Sequence, residues 1–353
     1  MIGDVAFTTP LPRALRRRFP DAHLTYVVEP PAEAVVRGNP HLDDILVVPQ
    51  SRGLRRVRDD LAPGLDLRRR RFDIAIDLHG GPRSAWLTWA SRAPRRIGYN
   101  ITGRSWMYTE VVQRARDLMP RHSVQNQWDL LAPLGIAPPD PAESPMEMVV
   151  DRAADAAMAR RLASAGLTGH PLVVVHVSAG NPFRRWPGES FVQLACELAR
   201  RDPRRRIILN SGPSEADAAR DIAAEARRQL GPGAAAIADI GEFGLAELHA
   251  LVTRASVYIG GDSGPMHVAA TTATPIVALF GPTLPERSMP WRDPRWFAEA
   301  IDAGPLPCRP CHQRHCVPGD FRCLTGIAAE RVVAAAERAL ALQAAAETKA
   351  GHA

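Results

Sequence analysis

The stretch Gly260-Gly261-Asp262-Ser263-Gly264-Pro265-Met266-His267 sets a carboxylate, a hydroxyl and an imidazole among glycines and a helix-opening proline. Following a β-branched run, this order builds a strand end, a tight turn and a helix start, where orphan amides and the helix dipole favour an anion. Ser263 can add a hydroxyl, Gly264 allows close backbone approach, Asp262 can accept hydroxyls from a sugar, and His267 lies one turn in. An ordinary helix cap accounts for the same residues without any ligand. A second strand, glycine turn and helix, HVSAGNPFRRWPGESFVQLACELA, puts Arg184 and Arg185 in the connection, where a cation can neutralise a diphosphate leaving group. Two arginines on a solvated loop would read the same way. Neither G-x-G-x-x-G nor a Walker sequence is present, which argues against dinucleotide oxidoreduction and P-loop hydrolysis.

Four of the five cysteines crowd into PLPCRPCHQRHCVPGDFRCL: Cys308, Cys311, Cys316 and Cys323, with His312 and His315 nearby. Four thiolates opening with C-x-x-C are a candidate for structural zinc, although the remaining spacing is not that of a standard finger. A redox-sensitive pair and reduced structural thiols are the other readings. Cys196, inside a helical run, reads as a core residue.

The elements that must position these residues alternate almost throughout. LTYVVEP (24–30), DDILVVP (43–49) and FDIAIDLHG (72–80) read as strands with amphipathic helices between them. A proline-rich break, IAPPDPAESP (136–145), precedes a second series: VVVHVSAG, RRIILNSG, AIADIG, VYIGGDSG and PIVALFGPT. Strands alternating with helices imply right-handed βαβ units, so the expected fold is α/β, two Rossmann-like domains with parallel sheets facing a central cleft. Near-continuous apolar strands fit sheets covered on both faces, and ligands in such folds lie at the carboxyl ends of the strands. At the amino terminus, Gly3-Asp4-Val5 reads as a turn, Thr9 as a cap and Pro10 as a helix start.

The chain has 353 residues, 46% hydrophobic and 23% charged, enough for two domains, and it contains no apolar run long enough to span a bilayer. The opening stretch is interrupted by Pro10, Pro12 and Arg13, so the expected location is the cytoplasm. Net charge is +6, carried almost wholly by arginine, since Lys349 is the single lysine. Arginines cluster at 16–18, at eight positions from 52 to 71, and at 92, 95 and 96. That pattern fits either a solvated face or attraction to an anionic lipid or phosphorylated substrate. Nucleic acid is not expected, because no aromatic interleaving or recognition motif accompanies the basic runs.

Several of these pieces, in this order, resemble glycosyltransferase family 9, the ADP-heptose:lipopolysaccharide heptosyltransferases. They are GDVAFTTPLPRALRRRFPDAHL, GNPHLDDILV, RRFDIAIDLHGGPRSA, PRRIGY, RHSVQNQWDLLAPLG, FRRWPGESF, ADIGEFGLAELHALV, GGDSGPMHVAA and IVALFGPTLPER. The resemblance implies a GT-B fold: an acceptor domain over residues 1–160, a nucleotide-sugar domain over 161–326, and a terminal helix and tail over 327–353 that pack back toward the first domain. It implies inverting transfer of a heptose from ADP-heptose to the lipopolysaccharide inner core without a required metal, by an enzyme on the inner face of the membrane with an anionic glycolipid acceptor. Alternatives within the same architecture are another nucleotide sugar or a UDP-sugar epimerase; a zinc-bearing basic binding module stands further off.

Carried onto this chain, the resemblance makes Asp4 the general base and Arg184, where the family usually has lysine, the cation on the leaving diphosphate. It assigns Asp262, Ser263, Gly264 and His267 to the donor sugar and diphosphate, and Phe243 with Gly244 to the adenine. Arg83, Arg96 and His122 fall in acceptor-domain motifs. Relatives begin with a hydrophobic strand and an arginine before the glycine-aspartate turn. The first strand of the sheet is therefore expected upstream of Met1.

Overall fold

A computed structural model describes residues 2–49, 55–114, 121–177 and 181–350. They divide into two compact units, Met1–Val149 and Val150–Ala353. The first contains α1 (Ile2–Thr8), α2 (Pro10–Arg18), β1 (Thr25–Val28), α3 (Glu33–Val36), β2 (Asp44–Val47), α4 (Arg55–Arg69), β3 (Ile74–Ile76), α5 (Pro82–Ala90), β4 (Arg95–Tyr99), β5 (Glu110–Val112) and α6 (Ser123–Trp128). Its strands are all parallel but belong to two sheets, β1-β2 and β3-β4-β5. Among the described residues no strand joins β1 to β3.

The expected turn at Gly3-Asp4-Val5 is instead part of α1. The cause is tertiary packing. Ala6 and Phe7 are buried, Ile2 and Val5 pack on Val28, Ala32 and Val36, and the Phe7 ring meets His122 edge-on at 5.5 Å. Burying these apolar side chains outweighs the cost of about 1 kcal/mol for a glycine inside a helix. Pro10 does open α2, but the Thr9 hydroxyl donates to the Ala6 carbonyl at 2.8 Å and makes no cap bond.

The second unit contains α7 (Arg152–Ser164), β6 (Leu172–His176), α8 (Gly188–Arg201), β7 (Arg206–Asn210), α9 (Ala216–Leu230), β8 (Ile237–Ala238), α10 (Leu245–Thr253), β9 (Val257–Gly261), α11 (Gly264–Ala269), β10 (Ile276–Phe280), α12 (Pro285–Ser288), β11 (Ala298–Asp302), α13 (Arg322–Thr325) and α14 (Ala329–Ala350). Its division from the first lies at 149/150, ahead of the expected 160/161, because residues 152–164 form one continuous helix. Asp151 caps that helix, accepting from the amides of Ala153 and Ala154 at 2.9 Å each.

Six parallel strands order as β11-β10-β9-β6-β7-β8. The chain winds from β6 through β7 to β8, then returns to the other side of β6 for β9, β10 and β11. The reversal falls between β6 and β9, where His176 stands opposite Gly260. A doubly wound sheet opens a crevice at that point, outside the carboxyl ends of its strands. Every residue of β6, β9 and β10 is buried, as near-continuous apolar strands require. Helix α14, expected to pack back toward the first domain, buries Val332, Val333, Ala336, Ala339 and Leu340 in the core of its own unit. Glu337 on α14 pairs with Arg205 at 2.6 Å.

Candidate functional site

The loop leaving β6 carries Asn181 and a short helical turn, Pro182–Arg184, while the loop leaving β9 carries Asp262 and Ser263. The glycine turn expected at 178–180 lies outside the described residues. The two loops approach closely: a Cβ on Gly261 would sit 3.3 Å from the Arg184 carbonyl oxygen. Glycine is therefore what permits the meeting of Arg184 and Asp262. One Arg184 Nη1 donates to the Asp262 carbonyl at 3.0 Å and lies 3.0 Å from its Oδ2.

Asp262 is the centre of this arrangement. Its side chain is only 3% exposed, the Thr283 hydroxyl donates to its Oδ2 at 2.7 Å, and His267 Nε2 lies 3.5 Å from its Oδ1. Burial opposes ionisation, but the His267 bond, the Arg184 and His267 charges and the Thr283 bond outweigh it and hold the carboxyl down at about 2. The carboxylate expected from sequence to accept sugar hydroxyls is thus buried and bonded to three side chains of its own unit. It orients the cation and the imidazole beside it. The Ser263 hydroxyl is buried and makes no hydrogen bond within the described chain, and Gly264 follows as the first residue of α11.

Phe243 and Gly244 lie at the start of α10. The Arg161 guanidinium sits 5.9 Å from the centre of the Phe243 ring and donates to the carbonyls of Ile240 and Glu242 at 3.1 and 2.6 Å. The Gly244 amide is capped by Glu247 at 3.0 Å. The loop expected to meet an adenine is thus held in one shape from inside its own unit.

In the first unit, Asp4 lies on α1, partly exposed, and its charge adds to the burial that pushes the Tyr26 phenol up to about 12. The three expected acceptor contacts are all engaged internally. Arg83 donates to Asp60, Glu29 and the Pro49 carbonyl at 2.7, 2.9 and 2.7 Å, and its side chain is 11% exposed. Arg96 donates to the Met107 and Ala93 carbonyls at 2.9 and 2.7 Å. His122 is buried, and its Nδ1 accepts from the Val124 amide at 3.1 Å to cap α6. These three side chains build the unit. Much of the basic cluster is also paired, as in Arg16–Asp43, Arg70–Asp66 and Arg95–Glu110. The part of that run at 52 lies outside the described residues.

The cysteines expected as a zinc set are free, and among the described residues no three His, Cys, Asp or Glu side chains are grouped to hold an ion. The donor set is chemically apt, but it is not assembled around one point in this structure. Burial pushes the Cys323 thiol up, with Cys311, Cys308 and Cys316 adding to the effect. Three residues of the site were not singled out from sequence: Asn181, Thr283 and Gln313. Thr283 follows a readable strand end, so its place beside Asp262 could have been inferred; Gln313 lies in an irregular loop with no period to betray it.

Two buried histidines of the second unit, His176 at the end of β6 and His249 on α10, set an acid limit. Burial pushes His176 and His249 down to about 4, from an ordinary value of 6.5; weaker contributions from Asn210 and Glu215 on the first, and Asp155 on the second, oppose it. The folded chain keeps both neutral while the unfolded chain takes up protons below 6.5. Stability is therefore full above that pH and is lost as pH falls toward 4, by about 3 kcal/mol for each histidine. Urea midpoints measured at pH 7.5 and 5 should differ in the wild type, and His249→Leu should shrink the difference.

Two units of alternating helices and parallel strands, one with its loops converging at a strand-order reversal, define an α/β transferase fold of the GT-B kind. The model of glycosyltransferase family 9 (heptosyltransferase) matches residues 62–320, and the chain belongs to that family. It is 26% identical over 345 residues to lipopolysaccharide heptosyltransferase 3 of Escherichia coli K12, covering 96% of this chain and 95% of the relative. Among solved structures, the family 9 glycosyltransferase of Veillonella parvula aligns with a TM-score of 0.78 at 24% identity, covering 96% of this chain and 94% of that one. The E. coli ADP-heptose lipopolysaccharide heptosyltransferase II aligns with a TM-score of 0.75 at 20% identity, covering 97% and 96%. Among the described residues, no helix is long and apolar enough to cross a membrane.

Proposed function

We propose that this family 9 glycosyltransferase moves a heptose from ADP-heptose to the lipopolysaccharide inner core, with inversion and without a required metal, working at the cytoplasmic face of the inner membrane. The observation that carries the reading is the Arg184–Asp262–His267 cluster at the strand-order reversal of the second unit. A cation fixed beside such a crevice suits a diphosphate, whose negative charge grows as it departs.

In the proposed reaction an acceptor hydroxyl attacks the anomeric carbon from the face opposite the diphosphate. The new carbon–oxygen bond forms as the bond to the diphosphate oxygen breaks, and a carboxylate removes the hydroxyl proton. Asp4 is assigned that carboxylate by family resemblance. Arg184 stabilises the departing ADP, Asp262 keeps the guanidinium oriented, and the Ser263 hydroxyl is left to bond the donor. Phe243 meets the adenine face. The acceptor is an anionic glycolipid, and Arg83, Arg96 and His122 are assigned to it by family resemblance, each also bonded within its own unit.

Calorimetric titration of ADP, UDP and GDP tests the donor half; selective ADP binding is expected. Incubation with ADP-heptose and a heptose-deficient core glycolipid tests the rest, with release of ADP and a mass gain of one heptose on the acceptor. Preference for UDP, or ADP release without a modified glycolipid, would overturn the assignment.

A further inference from the structure

Gln313 sits in the irregular segment between β11 and α13, yet its side chain reaches the donor loop. Its carboxamide oxygen accepts from Arg184 Nε at 2.7 Å and from Asn181 Nδ2 at 2.8 Å. Asn181 in turn accepts from the Phe183 amide at 3.0 Å, which shapes the turn that carries Arg184. Gln313 has φ of 56°, left-handed backbone that a residue with a side chain adopts at a cost. Phe321, further along the same segment, has φ of 50° and packs its ring 5.4 Å from that of Phe183.

The segment is also tied to the loop after β10. The Cys311 amide donates to the Pro282 carbonyl at 3.2 Å, and Arg309 donates to the Thr283 carbonyl at 2.9 Å. It therefore grips the loop bearing Arg184 and the loop bearing Thr283, and those two loops meet on Asp262. Two left-handed residues, each placing its side chain on the 181–184 turn, are hard to explain as loop filler.

We propose that Gln313 is a positioning residue of the donor site, resting on the diphosphate-binding reading of Arg184 given above. A guanidinium is planar. With Nε held by Gln313 and Nη1 held by Asp262, its plane is fixed before any ligand arrives, and the entropy of ordering a long side chain is not charged to binding. A neutral carboxamide does this without cancelling the positive charge. A carboxylate in its place would hold the same geometry and neutralise the cation.

The test is ADP titration into wild type, Gln313→Ala, Gln313→Glu, Arg184→Ala and the Gln313→Ala/Arg184→Ala double variant, with melting temperatures measured in parallel. Gln313→Ala should weaken ADP about 5- to 10-fold and Gln313→Glu at least as much, with melting temperatures close to wild type. In the Arg184→Ala background, removing Gln313 should change ADP affinity less than about 2-fold, because its effect passes through the guanidinium. Additive losses, or unchanged ADP affinity in Gln313→Ala, would overturn the proposal while leaving the donor reading intact. A wild type that binds UDP instead of ADP would overturn the donor assignment, and the same cycle run with UDP would then decide the role of Gln313. No nucleoside diphosphate binding by folded wild type would overturn both.

Discussion

Asp262→Ala is expected to lower the stability of the second unit by about 2–4 kcal/mol, because it removes a buried anion and leaves its partners behind. The carboxylate is 3% exposed and holds Arg184 at 3.0 Å, Thr283 at 2.7 Å and His267 at 3.5 Å. Arg184 is 27% exposed and can recover some hydration, which keeps the figure below that of a fully dry pair. Asp262→Asn keeps the shape and the Thr283 bond while losing the charge, so its loss should be smaller. Urea unfolding of both variants against wild type at pH 7.5 checks the order. Acid supplies an independent reading. Since the folded carboxyl titrates near 2, below the usual 3.8, its stabilisation is present above pH 4 and is lost as pH falls through 2. The histidine losses come first, between 6.5 and 4.

Arg184→Ala should reduce transfer about 10²- to 10³-fold, the range found when one preorganised donor to a developing anion is removed. The substitution also releases Gln313 and Asp262 from their shared partner. Arg184→Lys should be milder. An ammonium retains the charge, and lysine is the residue usual at this position by family resemblance, but it cannot hold Gln313 and Asp262 at once through a rigid fork. Steady-state rates of ADP release from ADP-heptose, with acceptor saturating, distinguish the two variants. Equal losses for alanine and lysine would mean that geometry matters more than charge.

The helical winding of this chain was largely readable because its local signals agree. The strands at 172–176, 257–261 and 276–280 are near-continuous apolar runs, buried throughout, and their glycine-rich exits mark where chemistry can sit. Short strands escaped this reading. β5 has three residues, and β11, Ala-Glu-Ala-Ile-Asp, is broken by Glu299 and closed by Asp302, so neither presents a long apolar run. The turn expected at Gly3-Asp4-Val5 became helix because Ala6 and Phe7 are buried by partners distant in sequence. The internal bonds of Arg83, Arg96 and His122 were hidden for a related reason: a residue type shows what a side chain can bond, whereas only packing shows what within the chain it does bond.

From the sequence alone followed the parallel α/β class, the family, and the residue types at the donor loops, because strand periodicity, glycine turns and helix-opening prolines act over a few neighbours. The tertiary structure decided that Asp262 is a buried organiser, that Thr283 and Gln313 complete its surroundings, and that the helix at residues 152–164 belongs to the second unit. Those outcomes depend on contacts across 21, 78 and 129 residues of chain, distances at which no local pattern constrains which side chains meet.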